Sequence, residues 1–242
     1  MFEIFLEPKT WVALLQIIGI DLLLGGDNAV VIALACRNLP KEQQKKAIMF
    51  GAAAAIIIRS ILTITALYLL GIPYLKIVGS LLLIWIGIKL LVPDHGHSEA
   101  DGSLVAAGSL AAAIKTIIIA DVVMSLDNVL AVAAAAHGSM VLIVIGLLIS
   151  IPIVLYGSTL MLKLMDRFPI LITVGAGLLG FVAGQMLFTD PAIKDWTVQN
   201  IPYAPSIAPI VLALLVISLG SVLKNRGERL HVAKTEANLV DL

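Results

Sequence analysis

Long apolar runs along the chain are separated by short polar stretches. A bilayer core of about 30 Å takes roughly 20 apolar residues per helix. Seven runs meet that length: Trp11–Cys36, Ala47–Leu70, Pro73–Val92, Leu104–Ala136, Met140–Leu162, Pro169–Phe188 and Ile207–Leu223. The fourth is longer than one span requires, so its first turn or two are expected to lie along the interface. The start, Met1–Thr10, carries Glu3 and Glu7 ahead of Lys9, unlike the basic start of a signal peptide. The first run is therefore expected to be a retained helix.

Composition agrees with the pattern. Of 242 residues, 60% are hydrophobic and 13% charged, and the mean hydropathy is +1.05. Soluble domains carry about 25% charged residues, so there is too little polar surface here to cover a water-soluble globule. The class implied is an all-α, multi-pass membrane protein, with the lipid bilayer as its main environment. Sixteen Lys+Arg balance sixteen Asp+Glu; with no basic arm, nucleic acid is not an expected partner. The single cysteine, Cys36, excludes an intramolecular disulfide and a Cys-cluster metal site.

Basic residues set an orientation. Arg37, Lys41, Lys45 and Lys46 follow the first span, Lys163 and Arg167 the fifth, and Lys224, Arg226, Arg229 and Lys234 the seventh; the alternate ends hold only Lys9, Lys76 and Lys194. This puts the N-terminus outside and the C-terminus in the cytoplasm. The loop 93–103 is then cytoplasmic, although acidic and His-bearing (Asp94, His95, His97, Glu99, Asp101). It is expected to be a solvated loop, with metal collection as the sharper alternative.

The chain also repeats itself. Asp21-Leu-Leu-Leu-Gly-Gly-Asp27-Asn28 aligns without a gap to Asp121-Val-Val-Met-Ser-Leu-Asp127-Asn128, and Pro73-Tyr-Leu-Lys-Ile-Val-Gly79 to Pro169-Ile-Leu-Ile-Thr-Val-Gly175. The organisation expected is one three-helix repeat over 1–92, a second over 104–188, an extracytoplasmic loop 189–206, a seventh helix 207–223 and a polar, mobile tail 224–242. An odd number of spans per repeat inserts the second copy upside down. Inverted repeats are a transporter architecture, with the site where the repeats meet.

Four aspartates, Asp21, Asp27, Asp121 and Asp127, fall inside these runs. Each carboxylate at a span centre costs roughly 2.5–3.5 kcal/mol on the insertion scale. Only one basic residue, Arg59, lies at comparable depth, so protons or a bound cation must supply the remaining charge. At about 100° per residue, Asp21 and Asn28 share a helix face while Asp27 lies roughly 120° away. A break at Gly25-Gly26 would bring them together; Ser125-Leu126 in the second copy predicts a more regular helix there. Counting from the helix ends places Asp27 and Asp127 at midplane, Asp21 nearer the outside and Asp121 nearer the cytoplasm, a ladder across the membrane. Carboxylate and amide oxygens suit hard divalent ions: Mn²⁺, Mg²⁺ or Ca²⁺. Met124 is a further candidate ligand whose sulfur would favour Mn²⁺, against ordinary core packing. Arg59 is a candidate counter-ion or gate, against a fixed structural pair.

The Gly-Gly-Asp27-Asn28-Ala and Ser125-Leu-Asp127-Asn128 segments, on the first and fourth helices of a small seven-helix chain, resemble those of the TerC family, over roughly Trp11 to Leu223. That family is linked to manganese efflux and metal homeostasis, and some members are named for tellurium resistance. For this chain the resemblance implies Mn²⁺ export, with Asp27, Asn28, Asp127 and Asn128 matching the paired motifs and Asp21 and Asp121 the acidic positions before them. The expectation is a secondary transporter of a hard divalent cation, with protons as a candidate coupling ion, no prosthetic group and the oligomeric state open. No phosphate-binding Gly-rich loop with Lys is present and no Ser-His or Cys-His pair stands at plausible depth, so an enzyme is not expected. Two other readings stand beside it: an exporter of an organic solute such as a basic amino acid, and a membrane scaffold or assembly factor for secretion or metalation machinery.

Overall fold

The computed structural model of the chain describes residues 8–69, 71–92, 109–136 and 139–240. Helices α1 (Pro8–Leu24), α2 (Gly26–Cys36), α3 (Lys41–Leu69), α4 (Leu75–Leu91), α5 (Leu110–Ala135), α6 (Met140–Arg167), α7 (Ile170–Leu187), α8 (Lys194–Asn200) and α9 (Ala204–Val240) account for nearly all of them, with no strand among the described residues. Serine caps start two of these helices: Ser109 accepts from the Ala112 N–H at 3.2 Å and Ser139 from the Leu142 N–H at 3.4 Å.

Four helical stretches are long and apolar enough to cross a membrane: Lys41–Thr63, Met140–Arg167, Ile170–Leu187 and Ala204–Arg226. Two bent pairs raise the number to six, α1 with α2 at 47° and the two parts of α5, Leu110–Leu126 and Asn128–Ala135, at 65°. The remaining apolar helix, α4, has 17 residues, one fewer than the shortest of the four. Large apolar side chains face outward along these helices, among them Leu15, Leu23 and Ile57 at 68%, 85% and 62% exposure. Hydrocarbon, not water, is the solvent such a surface fits.

The bends fall at corresponding places in the two halves. The first matches the expectation from Gly25-Gly26: α1 ends at Leu24, Gly25 stands between the helices, and its carbonyl accepts from the Asn28 N–H at 3.1 Å. A Cβ at Gly25 would lie 2.3 Å from the Asp21 carbonyl oxygen, so the tight break requires glycine. The second corrects the expectation of a more regular helix: α5 bends more, and without glycine. Its bend sets in just past Asp121 and Ser125, where the Arg59 side chain of α3 is bonded. A tertiary demand, not local propensity, coincides with it.

Packing between the halves is reciprocal. Gly51 of α3 lets Ile117 of α5 in so closely that a Cβ would lie 2.8 Å from its Cδ1. Gly146 of α6 does the same for Ile17 of α1, at 2.5 Å from Cγ2. Ile17 and Ile117 are aligned positions, and both are fully buried. The clusters around them match: Ala13, Ile17, Val132 and Ala136 meet Leu142 and Ile143, while Ala113, Ile117, Ile32 and Cys36 meet Ala47 and Ile48. Small residues permit this approach, and dispersion holds it in lipid.

Two elements differ from the sequence expectation. The polar tail extends the last helix, α9 running on to Val240, because nothing in 224–240 is a proline or a turn signal strong enough to stop it. The loop 189–206 holds a short helix, α8, and a carboxylate clasp. Asp190, wholly shielded from solvent, accepts from the backbone N–H groups of Ala192 at 2.8 Å, Tyr74 at 2.9 Å, Lys76 at 3.0 Å and Ile77 at 3.4 Å. It thus ties the end of α7 to the start of α4, where Tyr74 is held at φ 67°, a left-handed conformation uncommon for a non-glycine residue.

Candidate functional site

Two ion pairs between buried side chains meet at one arginine. Arg59, in the C-terminal half of α3, directs Nη1 to Asp21 Oδ1 and Nη2 to Asp121 Oδ1. Its Nε donates to Ser125 Oγ at 2.9 Å, and the Ser125 hydroxyl donates to Asp121 Oδ2 at 3.4 Å. All three charged residues are buried, at 6%, 5% and 7% exposure for Arg59, Asp21 and Asp121. The planar fork of guanidinium suits this bridging of two carboxylates. With both carboxylates ionised, the group keeps one uncompensated negative charge.

The aspartates occupy aligned positions of the two halves, Asp21 in the last turn of α1 and Asp121 before the bend of α5. They therefore do not form the outer and inner rungs of a ladder, as helix counting suggested. The bends allow α1 and α5 to bring them to one point on α3. Beside them is a cavity of about 30 Å³, lined by Asp21, Asn28, Arg59, Asp121, Ser150 and Val154 among others. That is room for roughly one or two waters or a dehydrated ion.

Asp27 and Asn28, in the first turn of α2, bring further oxygens. Oδ1 of each is buried and has no hydrogen-bond partner, an arrangement that costs about 1–3 kcal/mol per group if left so. Asp27 lies within electrostatic reach of both Arg59 and Asp121. Asn128 opens the second segment of α5; the side chain of Asp127 lies outside the described residues, as do the acidic and histidine residues 94–101. Met124 goes to the core, buried with Val31, Leu83, Val123 and Met186, which is the packing alternative for that residue. Among the described residues no three His, Cys, Asp or Glu side chains stand together as a metal-binding group. The donor set present is two carboxylates engaged by arginine plus one carboxylate oxygen and one amide oxygen unengaged.

Ser125, Ser150 and Val154 were not singled out from the sequence. Ser125 could have been, since it follows Asp121 by four residues and so shares its helix face. The other two emerge from the reciprocal packing. Aligning Gly51 with Gly146 places Ala55 against Ser150 and Arg59 against Val154, and all four line the same cavity.

A bundle of bent apolar helices around buried, cross-linked charges defines an integral, multi-pass membrane protein. The family model for the integral membrane protein TerC family matches residues 6–228, and the chain belongs to that family. It is 41% identical over 224 residues to the uncharacterized membrane protein YjbE of Bacillus subtilis (strain 168), covering 93% of this chain and 100% of that protein. To the uncharacterized membrane protein YceF of the same organism it is 29% identical, covering 76% and 74%. To the UPF0053 inner membrane protein YgdQ of Escherichia coli (strain K12) it is 24% identical, covering 70% and 77%. No solved structure matches.

Proposed function

We propose that this protein is a secondary transporter of the bacterial inner membrane that exports a hard divalent cation, Mn²⁺ first, through a site shared by two inverted three-helix repeats. One observation carries the reading: aligned aspartates from the two halves converge on a single buried guanidinium, and one carboxylate oxygen of Asp27 and the amide oxygen of Asn28 are buried with no hydrogen-bond partner. A structural core would not keep unsatisfied oxygens next to excess negative charge in a membrane. Oxygen donors alone favour Mn²⁺, Mg²⁺ or Ca²⁺ over softer ions. The cavity is far smaller than an amino acid, which speaks against an organic solute.

In this reading α4 completes seven spans, with the N-terminus outside and the C-terminus in the cytoplasm, as the Lys/Arg distribution favours. Asp27, Asn28, Asp127 and Asn128 hold the ion together with Asp21 and Asp121. Protons entering from outside compete for the same carboxylates and release it. The halves rock about their shared packing to alternate access. The test is Mn²⁺ flux into or out of liposomes holding the purified protein, followed by a trapped dye, with Ca²⁺ and Mg²⁺ alongside. Wild-type flux should vanish in Asp27→Asn and in Asp127→Asn while both remain folded. Undiminished flux from either variant would sink the shared site, and a silent wild type under either pH gradient would favour the scaffold reading.

A further inference from the structure

On the cation-transport reading above, we infer that Arg59 is a built-in competitor for the transported ion: its guanidinium holds Asp21 and Asp121 and must withdraw before the ion binds them. Three observations converge on this. First, the same carboxylates that would bind the ion each give one oxygen to an arm of the fork, and an arginine in a protein does not escape by losing its proton. An incoming cation therefore meets a permanent like charge at the place it must occupy. Second, Arg59 itself lines the cavity of about 30 Å³ beside Asp21 and Asp121, so an ion entering it would sit directly against a like charge. Third, the oxygens left unengaged, Asp27 Oδ1 and Asn28 Oδ1, belong to the break between α1 and α2, so a partial set of ligands waits where arginine does not reach.

The competitor is single. The position matching Arg59 in the second half is Val154, which lines the same cavity and has no charge to offer. Withdrawal is then a movement of α3 relative to α5, and only one of the two halves carries the displacing group. The device gives the empty carrier a stable charge arrangement, and it makes ion release favourable because arginine reclaims the carboxylates.

The experiment compares wild type, Arg59→Lys and Arg59→Gln, each as full-length protein in lipid nanodiscs. Mn²⁺ binding is read from the electron paramagnetic resonance signal of free Mn²⁺, at mildly alkaline pH so that protons compete little. If arginine competes, Arg59→Gln binds Mn²⁺ tighter by roughly tenfold, within the usual range of coupling between ligands. Arg59→Lys, which retains a cation and most of the volume but has no second arm, binds tighter by roughly threefold. Liposome turnover falls in both, since release has lost its displacing group. A purely structural arginine predicts the reverse order of affinity, because its loss would disorder the site. Should Arg59→Gln fail to fold, Arg59→Lys decides alone, and affinity equal to or weaker than wild type overturns the inference. A wild type that neither binds nor moves Mn²⁺ sinks the transport reading itself, whereas a transporting wild type with no tighter-binding variant sinks only the role of Arg59.

Discussion

The two halves of this protein are alike in what packs and unlike in what carries charge. Ile17 and Ile117 sit at aligned positions, each seated against a glycine of the other half's second helix. Asp21 and Asp121 follow four residues later and reach the same point. Yet Arg59 in one half stands against Val154 in the other, and Gly25-Gly26 against Ser125-Leu126. Packing between the two halves is easily kept alike, because apolar shape works equally in both. A charge balance is different: one guanidinium can serve both carboxylates, and a second would fill the cavity and cancel the remaining negative charge.

The largest effect should come from removing the unlike charge. Arg59→Leu leaves two buried carboxylates facing each other and should destabilise the protein by about 3–5 kcal/mol. The matched substitution Val154→Leu adds one methylene and no charge change, and should cost about 1–3 kcal/mol at most. Unfolding by SDS titration in mixed micelles compares the two. Equal losses would mean that Arg59 is no more than a space-filler.

Where the halves are alike, paired substitutions should behave alike. Ile17→Ala and Ile117→Ala each empty a pocket formed around a glycine, and each should cost about 2–5 kcal/mol. The same titration reads both, and a difference as large as either loss would break the reciprocity.

The helix breaks provide a sharper contrast. Gly25→Ala puts a methyl against the Asp21 carbonyl oxygen and should cost about 1–3 kcal/mol by forcing α1 and α2 apart. Ser125→Ala removes a hydroxyl bonded to a charged guanidinium, worth about 1.5–3 kcal/mol. The two are separable by helix geometry. Spin labels flanking each break should report an altered α1–α2 angle in Gly25→Ala, and a freer Arg59 without a new angle in Ser125→Ala.

These contrasts also mark what was legible beforehand. Against a background of Leu, Ile, Val and Ala, the aspartates of the first and fourth apolar runs and the lone Arg59 stand out, because membrane burial makes every charge expensive. Their meeting point was not legible, since depth was counted along straight helices and both helices are bent. The bend at Gly25 was announced by its glycines; that of α5 was not, because it accompanies a bond from another helix. Met124 could be a ligand or a core residue by spacing alone, and only the neighbouring Val123 and Met186 decide for the core. The Asp190 clasp was invisible for the same reason: three of its four donors come from α4 and the turn before it, more than a hundred residues away.

That clasp belongs to one half alone and sets the smallest effect. Burial pushes the Asp190 carboxyl up, but the backbone N–H groups of Ala192, Tyr74, Ile77 and Lys76 together outweigh it and hold it below the usual carboxylate range. A depressed folded-state value means that the carboxylate's contribution is present above the unfolded value, about 3.9, and is lost as pH falls through the folded value. Asp190→Ala should therefore lower stability by about 0.5–2 kcal/mol near neutral pH, the usual worth of a capping carboxylate, and the gap from wild type should narrow only in acid below about pH 4. Thermal unfolding of both proteins over an acidic-to-neutral series measures it. A gap that stays constant into acid would mean that the ionised carboxylate does not hold α4 to α7. The strained Tyr74 then offers a second check, since Tyr74→Gly should relieve its left-handed backbone and partly offset the loss in Asp190→Ala.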